Sequence, residues 1–425
     1  MSPGWGGYSR APDAPGCSPL VPDSTTTRRL TRLILAGIVL ASGGISLYVP
    51  LVLAAVGAGF SGTWAATIIF ATNLGRVIGS YVASRQALFT ERPAALVVTI
   101  VLEGVALFSM AFASTPLAYG AAALAAGLGS GMSFPGMKAW LLRIPGGEPS
   151  RVFAELSLAL RLGMLWGYVA GAFVPPGRLL EVFSVVLASF VAYAAAMGLA
   201  TRRITALAQA QTASPAARTG EAAAPPDEPV PIGLRTLIAL NALFWLLMIQ
   251  PTVAMSLHVP RYVPELPVQT TYWVITLTIL LLQTRVTRRA RGLAGHARYL
   301  RLGFAVQGAG FALMALAGTH ATAVVLAAVL LALGQVLFVP SSDVLLTAIA
   351  RARSLPPGPL MARQLVHQNL GVMLGALAAG ALFDLGVAQG WPALSWTLLA
   401  LASVAALALS VSRHRARHAA QRSSA

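Results

Sequence analysis

Charged residues are scarce in this sequence. They make up 10% of the 425 residues, whereas 56% are hydrophobic. A soluble globular protein carries about 25% charged residues. Because so few charges cannot cover a folded chain of this size with polar surface, lipid must be its main solvent. The composition therefore excludes a soluble enzyme or a soluble binding domain.

Cysteine is nearly absent as well, since Cys17 is the only one. No internal disulfide is possible, and no CxxC redox or metal site exists. The sequence also lacks a Walker sequence, a nucleophile–base signature and metal-ligand spacings. ATP-driven transport and hydrolytic chemistry have no support, so we expect a protein that is not an enzyme and has no cofactor. A proton gradient is the energy source that we expect.

Long apolar stretches are what the chain has in abundance. A helix of roughly 20 apolar residues spans the hydrocarbon core of a bilayer. Backbone groups inside lipid must bond internally, so each such stretch has to be a helix. The sequence predicts an all-α integral membrane protein with twelve transmembrane helices, near 33–56, 64–84, 93–114, 117–142, 152–174, 179–200, 234–257, 266–284, 299–318, 322–350, 362–384 and 392–412.

The basic residues predict the orientation of these helices. Twenty-four arginines fall in the termini and connections of one side, and the other side carries only Arg178 and Arg261. Cytoplasmic loops are enriched in Lys and Arg, so both termini are predicted to be cytoplasmic. The same bias explains most of the net charge of +17, and no nucleic-acid partner is needed.

The chain divides into two helical bundles with polar connections. The first residues do not resemble a cleavable signal peptide. We predict a disordered cytoplasmic tail (1–32), an N-terminal six-helix bundle (33–200), a cytoplasmic linker (201–233), a C-terminal six-helix bundle (234–412) and a basic cytoplasmic tail (413–425).

The two bundles are related by an internal repeat. Gly129 and Pro135 on the fourth helix match Gly334 and Pro340 on the tenth. On the fifth and eleventh helices the matched positions are Gly163, Gly167, Gly171 and Ala172 with Gly371, Gly375, Ala379 and Gly380. Two six-helix halves in the same orientation are the plan of major facilitator transporters.

The motifs resemble the twelve-helix drug:proton antiporters of the major facilitator superfamily, which include multidrug and siderophore exporters. The segment GMLWGYVAGA (163–172) is similar to the antiporter motif GxxxGPxxGG, with Tyr168 in place of Pro and Ala172 in place of the last Gly. The segment AGALFDLGVAQGWPALSW (379–396) is also similar to some bacterial multidrug exporters. The resemblance implies two bundles related by a pseudo-twofold axis, a bacterial inner membrane and a functional monomer.

Two motifs of that family are altered. The loop motif GxLaDrxGrr reads GSYVASRQALFTERP, with Ser84 where the family has Asp. Ala123 stands where the family has an arginine on the fourth helix, which the resemblance links to proton coupling. The usual coupling and gating residues therefore cannot be carried over to this chain.

Charged residues inside a bilayer are costly and indicate function. A rise of about 1.5 Å per residue places Arg76, Glu103 and Arg161 in one layer near the midplane. One hypothesis is a proton-responsive substrate site in which Glu103 titrates. The alternative is a structural Arg76–Glu103 ion pair, with Arg161 held by carbonyl groups or water. Because this layer has two cations and one anion, a substrate site there would favour an anionic or oxygen-rich molecule.

Lys138 and Asp343 are the other two intramembrane charges, and they occupy equivalent positions of the repeat. In the resembled family, helices four and ten meet across the cytoplasmic half of the cavity, so this pair would latch the inner gate. The alternative is that each side chain extends separately to the membrane interface.

Three further groups of residues are candidates for the site. Glycines four residues apart share a helix face and allow close helix contact. The resemblance adds that these motif glycines prevent leak. His367 and Asn369 would face the cavity, because lipid exposure is costly; a lone histidine is also often only hydrogen-bonded. The aromatic residues Trp140, Trp166, Trp245, Trp273 and Tyr168 would either stack on a substrate or anchor helix ends.

The sequence thus predicts a secondary active transporter that works by proton antiport and alternating access. Its expected substrate is a small amphipathic organic molecule that is exported, either a drug-like compound or a self-made metabolite such as a siderophore. Proton-coupled uptake of a small solute and a non-transporting membrane sensor or scaffold remain open as alternatives.

Overall fold

The protein folds as a bundle of long helices. The computed structural model describes residues 24–85, 92–142, 144, 149–174, 178–211, 230–287, 289–290, 292–353 and 357–423. Within these ranges the chain is helical apart from turns and short connections, and a single 3₁₀ turn, Met110–Phe112, follows the third helix. The predicted all-α fold with twelve transmembrane helices is confirmed.

The twelve helices of the described residues are numbered in chain order. They are α1 (Ser24–Gly59), α2 (Gly62–Arg85), α3 (Pro93–Ser109), α4 (Pro116–Leu142), α5 (Pro149–Ala172), α6 (Leu179–Gln211), α7 in two segments, α7a (Leu234–Met248) and α7b (Gln250–Tyr262), α8 (Val268–Thr287), α9 (Gly292–Ala317), α10 (Ala321–Ala352), α11 (Pro357–Ala388) and α12 (Leu394–Ser423).

Ten of these helices are long and apolar enough to cross a membrane on their own, which makes the chain a multi-pass membrane protein. The other two are α8, whose apolar part is the shorter Val268–Gln283, and α5, which carries Glu155 and Arg161. These two helices pack against each other. Their mutual contact shields the less apolar helices from lipid, where polar groups are costly.

Three helices extend beyond the apolar stretches that the sequence marks. α1 begins at Ser24, so the last part of the tail predicted as disordered (1–32) is helical, while residues 1–23 lie outside the described residues. Leu30 is buried and Arg28 is exposed, so the first turns are amphipathic and pack beyond the hydrocarbon. α6 enters the predicted linker as far as Gln211, and α12 continues through the predicted basic tail to Ser423. The linker residues 212–229 lie outside the described residues.

Prolines interrupt the backbone hydrogen bonds of several helices, and side chains compensate at two of these places. A proline has no backbone N–H, so the carbonyl four residues earlier loses its helical partner. For Pro135 that carbonyl belongs to Gly131, and the Ser80 hydroxyl of α2 donates to it at 3.2 Å. α7 is broken at Ile249, two residues before Pro251, and the neighbouring Gln250 side-chain amide donates to carbonyls of α7a and α11, both at 2.9 Å.

The helices form two similar halves. In the first half α1 packs on α5, α2 on α4 and α3 on α6; in the second half α7a packs on α11, α8 on α10 and α9 on α12. Across the halves, α1 contacts α7b, α2 contacts α11 and α5 contacts α8. Here the side that bears the arginine-rich connections is called the basic side, and the other is called the opposite side.

Candidate functional site

Glu103 lies in the middle of α3 and is 5% exposed. The Ser133 hydroxyl of α4 donates a hydrogen bond to Glu103 Oε2 at 3.3 Å. Gly129 makes this approach possible, because a Cβ there would lie 2.8 Å from the Cβ of Glu103. Tyr48 of α1 and Tyr193 of α6 lie within electrostatic range of the carboxylate. The carboxylate therefore sits in a buried polar cluster inside the first half.

Arg76 belongs to the same cluster but does not contact the carboxylate directly. It is half-buried on α2 and within electrostatic range of Glu103 and Tyr48. Its Nε is buried and has no hydrogen-bond partner among the described residues. No ion pair joins Arg76 to Glu103 in the described part of the chain. A contact ion pair therefore does not join α2 to α3; both helices pack on α4, through its glycines and, for α3, through Ser133.

The second half has a neutral counterpart of Glu103. Gln307 on α9 is fully buried, and a Cβ at Gly334 would lie 3.1 Å from the Gln307 Cβ. This repeats the relation of Gly129 to Glu103. Among the described residues, the Gln307 amide donates only to the sulfur of Met248, at 3.9 Å. Packing at this repeat position therefore does not need a charge.

Arg161 lies near the middle of α5 and is half-buried. It forms no ion pair among the residues that the structure describes. Tyr168 lies two turns further along α5, within electrostatic range of Arg161. The Tyr168 ring packs on Tyr272 of α8 with a centroid separation of 4.8 Å. Arg161 thus lies two helical turns from an aromatic contact between the two halves.

Tyr272 is held by polar groups of α7b. Its hydroxyl is hydrogen-bonded to the Ser256 hydroxyl and donates to the carbonyl of Thr252. In the first half, the partner ring Tyr168 interacts with Ser46 of α1. The tyrosine that replaces the motif proline at position 168 therefore takes part in a buried polar and aromatic contact between the halves.

Lys138 and Asp343 lie within electrostatic range of each other across the two halves. No ion pair joins them in this structure, judged over its described residues. The Lys138 ammonium lies 4.5 Å from the centroid of the Phe134 ring, and Asp343 Oδ1 accepts a hydrogen bond from Gln364 Nε2 at 3.4 Å. In this conformation each charge therefore interacts most closely with a residue of its own half, Phe134 for Lys138 and Gln364 for Asp343.

His367 and Asn369 are half-buried on α11, the helix that packs on α2 and α7a. Trp166 packs between helices, and its indole N–H donates to the Val39 carbonyl of α1 at 3.0 Å. It fills the space left by Gly43, where a Cβ would lie 2.0 Å from the Trp166 ring. We therefore assign Trp166 to helix packing.

The motif glycines have two kinds of neighbour. Gly163 and Gly167 face α1, and a Cβ at Gly167 would lie 2.1 Å from the Gly43 carbonyl oxygen. Gly171 faces both α1 and the second half, because a Cβ there would lie 3.4 Å from the Leu47 carbonyl oxygen and 3.3 Å from Gln269 Cγ of α8. On α11, Gly371 and Gly375 face the carbonyls of Ala242 and Leu246 on α7a, at 2.1 and 2.3 Å from the corresponding Cβ positions.

Sequence reasoning missed Asp384, near the end of α11. Its Oδ1 accepts from the Gly62 backbone N–H at 2.7 Å, and its Oδ2 accepts from the backbone N–H and hydroxyl of Thr63 at 2.8 and 2.6 Å. The signal was present, because Asp384 is the only acidic residue of the quoted segment 379–396. A carboxylate so close to a predicted helix end was not counted as intramembrane.

His258 was also missed, and the structure gives it a packing role. Its Nδ1 accepts from the Trp396 indole N–H at 3.1 Å, and its Nε2 lies 3.0 Å from the Gly318 carbonyl oxygen. An acceptor at Nδ1 and a donor at Nε2 define the neutral tautomer. This histidine therefore ties α7b to α12 and to the α9–α10 connection.

Two six-helix halves with equivalent packing, joined through α1–α7b, α2–α11 and α5–α8, define the major facilitator fold. Solved transporter structures share it. The human organic anion transporter MFSD10 (TETRAN) is 16% identical, with a TM-score of 0.62 over 90% of this chain and 99% of its own. A proton-dependent oligopeptide transporter is 14% identical, with a TM-score of 0.68 over 92% of this chain and 98% of its own. The nucleoside transporter NupG is 13% identical, with a TM-score of 0.65 over 90% of this chain and 98% of its own. No protein-family model and no curated protein sequence matches the chain.

Proposed function

We propose that this protein is a secondary active transporter that moves a small amphipathic anion by alternating access. The observation that carries the proposal is Arg161, a half-buried cation in the middle of a membrane helix with no ion pair among the described residues. A charge in this position is costly unless it faces water, a partner or a ligand. Its neighbour Tyr168 belongs to the contact between the halves, which is where alternating access changes the structure.

The chemistry around Arg161 suits an organic anion. A guanidinium presents donors in a planar fork that matches a carboxylate or a phosphate. The buried Tyr168–Tyr272 contact lies two turns further along α5 and would expose aromatic surface when the halves separate. One of the structurally similar proteins is named an organic anion transporter. This likeness supports the proposal through the fold alone.

Glu103 is the proposed proton carrier. It is a buried acid where the second half of the molecule has a glutamine, so packing does not explain its charge. An ionised carboxylate in an apolar interior is strongly disfavoured unless it is compensated. Arg76, within electrostatic range, would compensate the ionised form, and uptake of a proton would free Arg76 to act on the substrate.

We further propose export by proton antiport from a bacterial inner membrane, with both termini in the cytoplasm and the monomer as the functional unit. The substrate would be a drug-like compound or a self-made metabolite such as a siderophore. The alternatives are uptake of a small solute and a sensor or scaffold that does not transport. The following experiments distinguish both from export.

The test uses membrane vesicles of both orientations, energised by a proton gradient, with carboxyfluorescein as an anionic probe and ethidium as a cationic one. Export predicts gradient-dependent accumulation of carboxyfluorescein, not ethidium, in inside-out vesicles. Arg161→Gln should abolish this accumulation, Arg161→Lys should retain part of it, and Arg261→Gln, on the opposite side, is the control. Accumulation only in right-side-out vesicles would indicate uptake, and accumulation of ethidium alone would contradict an anionic substrate.

A substrate unlike carboxyfluorescein is found by comparing metabolites of the medium and of the cells with and without the gene. Export predicts anionic compounds that are depleted from the medium and enriched in the cells when the gene is absent. No difference in either assay would favour the sensor or scaffold.

A further inference from the structure

We infer that Asp384 and the first turn of α2 form a latch that holds the two halves together on the opposite side of the membrane. Asp384 belongs to the second half and α2 to the first, so every bond between them crosses the interface of the halves. The inference concerns the conformational equilibrium and does not depend on which substrate is carried.

The bonds of the latch are of a strong kind. Both carboxylate oxygens accept backbone N–H groups of the first turn of α2, at 2.7 and 2.8 Å, and the Thr63 hydroxyl adds a third bond at 2.6 Å. The first N–H groups of a helix have no partner within the helix. The helix dipole also favours a negative charge at this end. The second half therefore supplies the N-terminal cap of a helix in the first half.

Small residues bring the two helices close enough for this cap. A Cβ at Gly380 would lie 2.4 Å from the Gly62 carbonyl oxygen, and a Cβ at Gly62 would lie 2.8 Å from the Phe383 ring. Glycine at both positions lets α11 approach the start of α2 directly. The capping bonds and the close backbone approach thus occur at the same place.

The contact is placed where it can open. Thr63 is exposed and Asp384 is half-buried, so water can replace the bonds when the halves separate. Two other contacts across the halves on this side, Tyr168 with Tyr272 and Gly171 with Gln269, involve no charged group. Asp384 therefore adds a charged group to a closed side that is otherwise joined here by neutral residues.

On the basic side, Lys138 of the first half and Asp343 of the second half form no ion pair and interact only at a distance. The sequence also has Ser84 where the resembled loop motif has aspartate. We therefore assign the resting state to a conformation that is closed on the opposite side by the Asp384 latch and open towards the basic side.

The test measures opening on the opposite side with a single reporter cysteine. In a Cys17→Ser background, Gln269→Cys places a thiol in the α5–α8 contact, away from α2 and α11; Gln269 is 4% exposed. The purified full-length chain is reconstituted into liposomes, and the rate of reaction with a membrane-impermeant maleimide from the opposite side is recorded. No transport substrate is needed.

Asp384→Ala should raise the labelling rate about tenfold, the effect of losing hydrogen bonds to a charged group. Asp384→Asn should raise it less, because one amide oxygen still accepts, and Thr63→Val should give the smallest rise. Glu181→Gln is the matched control. It removes an exposed acid that is paired with Arg178 within the first half at 3.2 Å, and it should leave the rate unchanged.

Unchanged labelling in Asp384→Ala and Asp384→Asn would overturn the latch, as would an equal increase in Glu181→Gln. The unfolding temperature of each variant shows whether the fold is retained. If Asp384→Ala fails to fold, Thr63→Val and Asp384→Asn decide the question, because each keeps most of the local packing.

Discussion

Glu103 and Gln307 occupy equivalent places in the two halves, and only one of them is an acid. Both are fully or nearly fully buried, and both lie against a matched glycine, Gly129 or Gly334. A buried carboxylate is kept against a large desolvation cost. Since an amide satisfies the same packing position in the second half, packing does not require the acid of the first half, which supports the proposed role of Glu103 as the proton carrier.

Glu103→Gln is predicted to fold normally and to lose gradient-driven transport. The glutamine still accepts from Ser133 and copies the residue of the second half, so the unfolding temperature should stay the same or rise. Transport against a gradient should fall at least about tenfold, a change of ~1.4 kcal/mol in the coupling free energy. Vesicle transport with and without the proton gradient, together with thermal unfolding, measures both effects.

Ser133→Ala serves as the control for Glu103→Gln, because it removes the hydrogen bond and keeps the charge. It should change transport less than Glu103→Gln does. Undiminished gradient-driven transport in Glu103→Gln would exclude Glu103 as the essential proton carrier. Asp343, Glu155 and His367 would then be the groups to test.

At the scale of helices, glycines determine which elements touch. α2 and α4 form one of the closest contacts of the molecule: a Cβ at Gly75 would lie 2.3 Å from the Leu124 carbonyl oxygen, and a Cβ at Gly127 would lie 2.1 Å from that of Thr72. Each helix has a second glycine four residues later, Gly79 and Gly131. Such GxxxG spacing allows backbones to approach in membranes, where burial of apolar surface adds little.

The sequence predicts where the helices lie better than it predicts which residues join one helix to another. Apolar length and arginine placement were sufficient for twelve helices, since lipid leaves the backbone no other structure. The face formed by Gly163 and Gly167 was also visible from the spacing. The cap by Asp384 was not predicted, because it depends on Gly62, a residue distant in the sequence. The break at Ile249 has a local signal, Pro251, which apolar length alone does not reveal.

Gly167→Ala is predicted to destabilise the protein. The new Cβ would lie 2.1 Å from the Gly43 carbonyl oxygen, so α1 and α5 must move apart. Overpacking of this kind costs about 1–3 kcal/mol. The measurement is the unfolding temperature of the purified protein, which should fall clearly below that of the parent.

Gly120→Ala is the matched control for Gly167→Ala. Gly120 is also helical, but a Cβ there meets no atom within 4 Å. Alanine is favoured over glycine in a helix by up to about 1 kcal/mol, so this variant should be as stable as the parent or more stable. Equal losses in the two variants would show that close approach is not the cause.

At the scale of the whole molecule, the arginine bias predicts which way the halves face. Reporter fusions near 60, 178, 261 and 388 should report the periplasm, and fusions near 88, 215, 292 and 356 should report the cytoplasm. The physical reason is that loops rich in Arg stay in the cytoplasm during insertion. Two or more reversed fusions would contradict the orientation. The helix boundaries place each fusion in or near a connection between helices.

Charged groups interact across the halves on both sides of the molecule, but in different ways. Asp384 bonds directly to α2 on the opposite side, whereas Lys138 and Asp343 on the basic side interact without an ion pair. If Lys138 and Asp343 pair when the basic side closes, the two contacts stabilise opposite conformations. Alternating access then depends on the balance between them, and a change on one side is detectable on the other.

The charge swap of Lys138 and Asp343 tests this balance with the Gln269→Cys reporter. Loss of one partner of a buried pair costs ~3–5 kcal/mol, and a hydrated gate should show less. Even ~1.4 kcal/mol shifts the equilibrium tenfold. Lys138→Ala and Asp343→Ala should each favour the state open to the basic side, so labelling from the opposite side and transport should both become slower. Lys138→Asp combined with Asp343→Lys should recover part of both rates. If the double swap is no better than the worse single swap, the two residues extend separately to the interface.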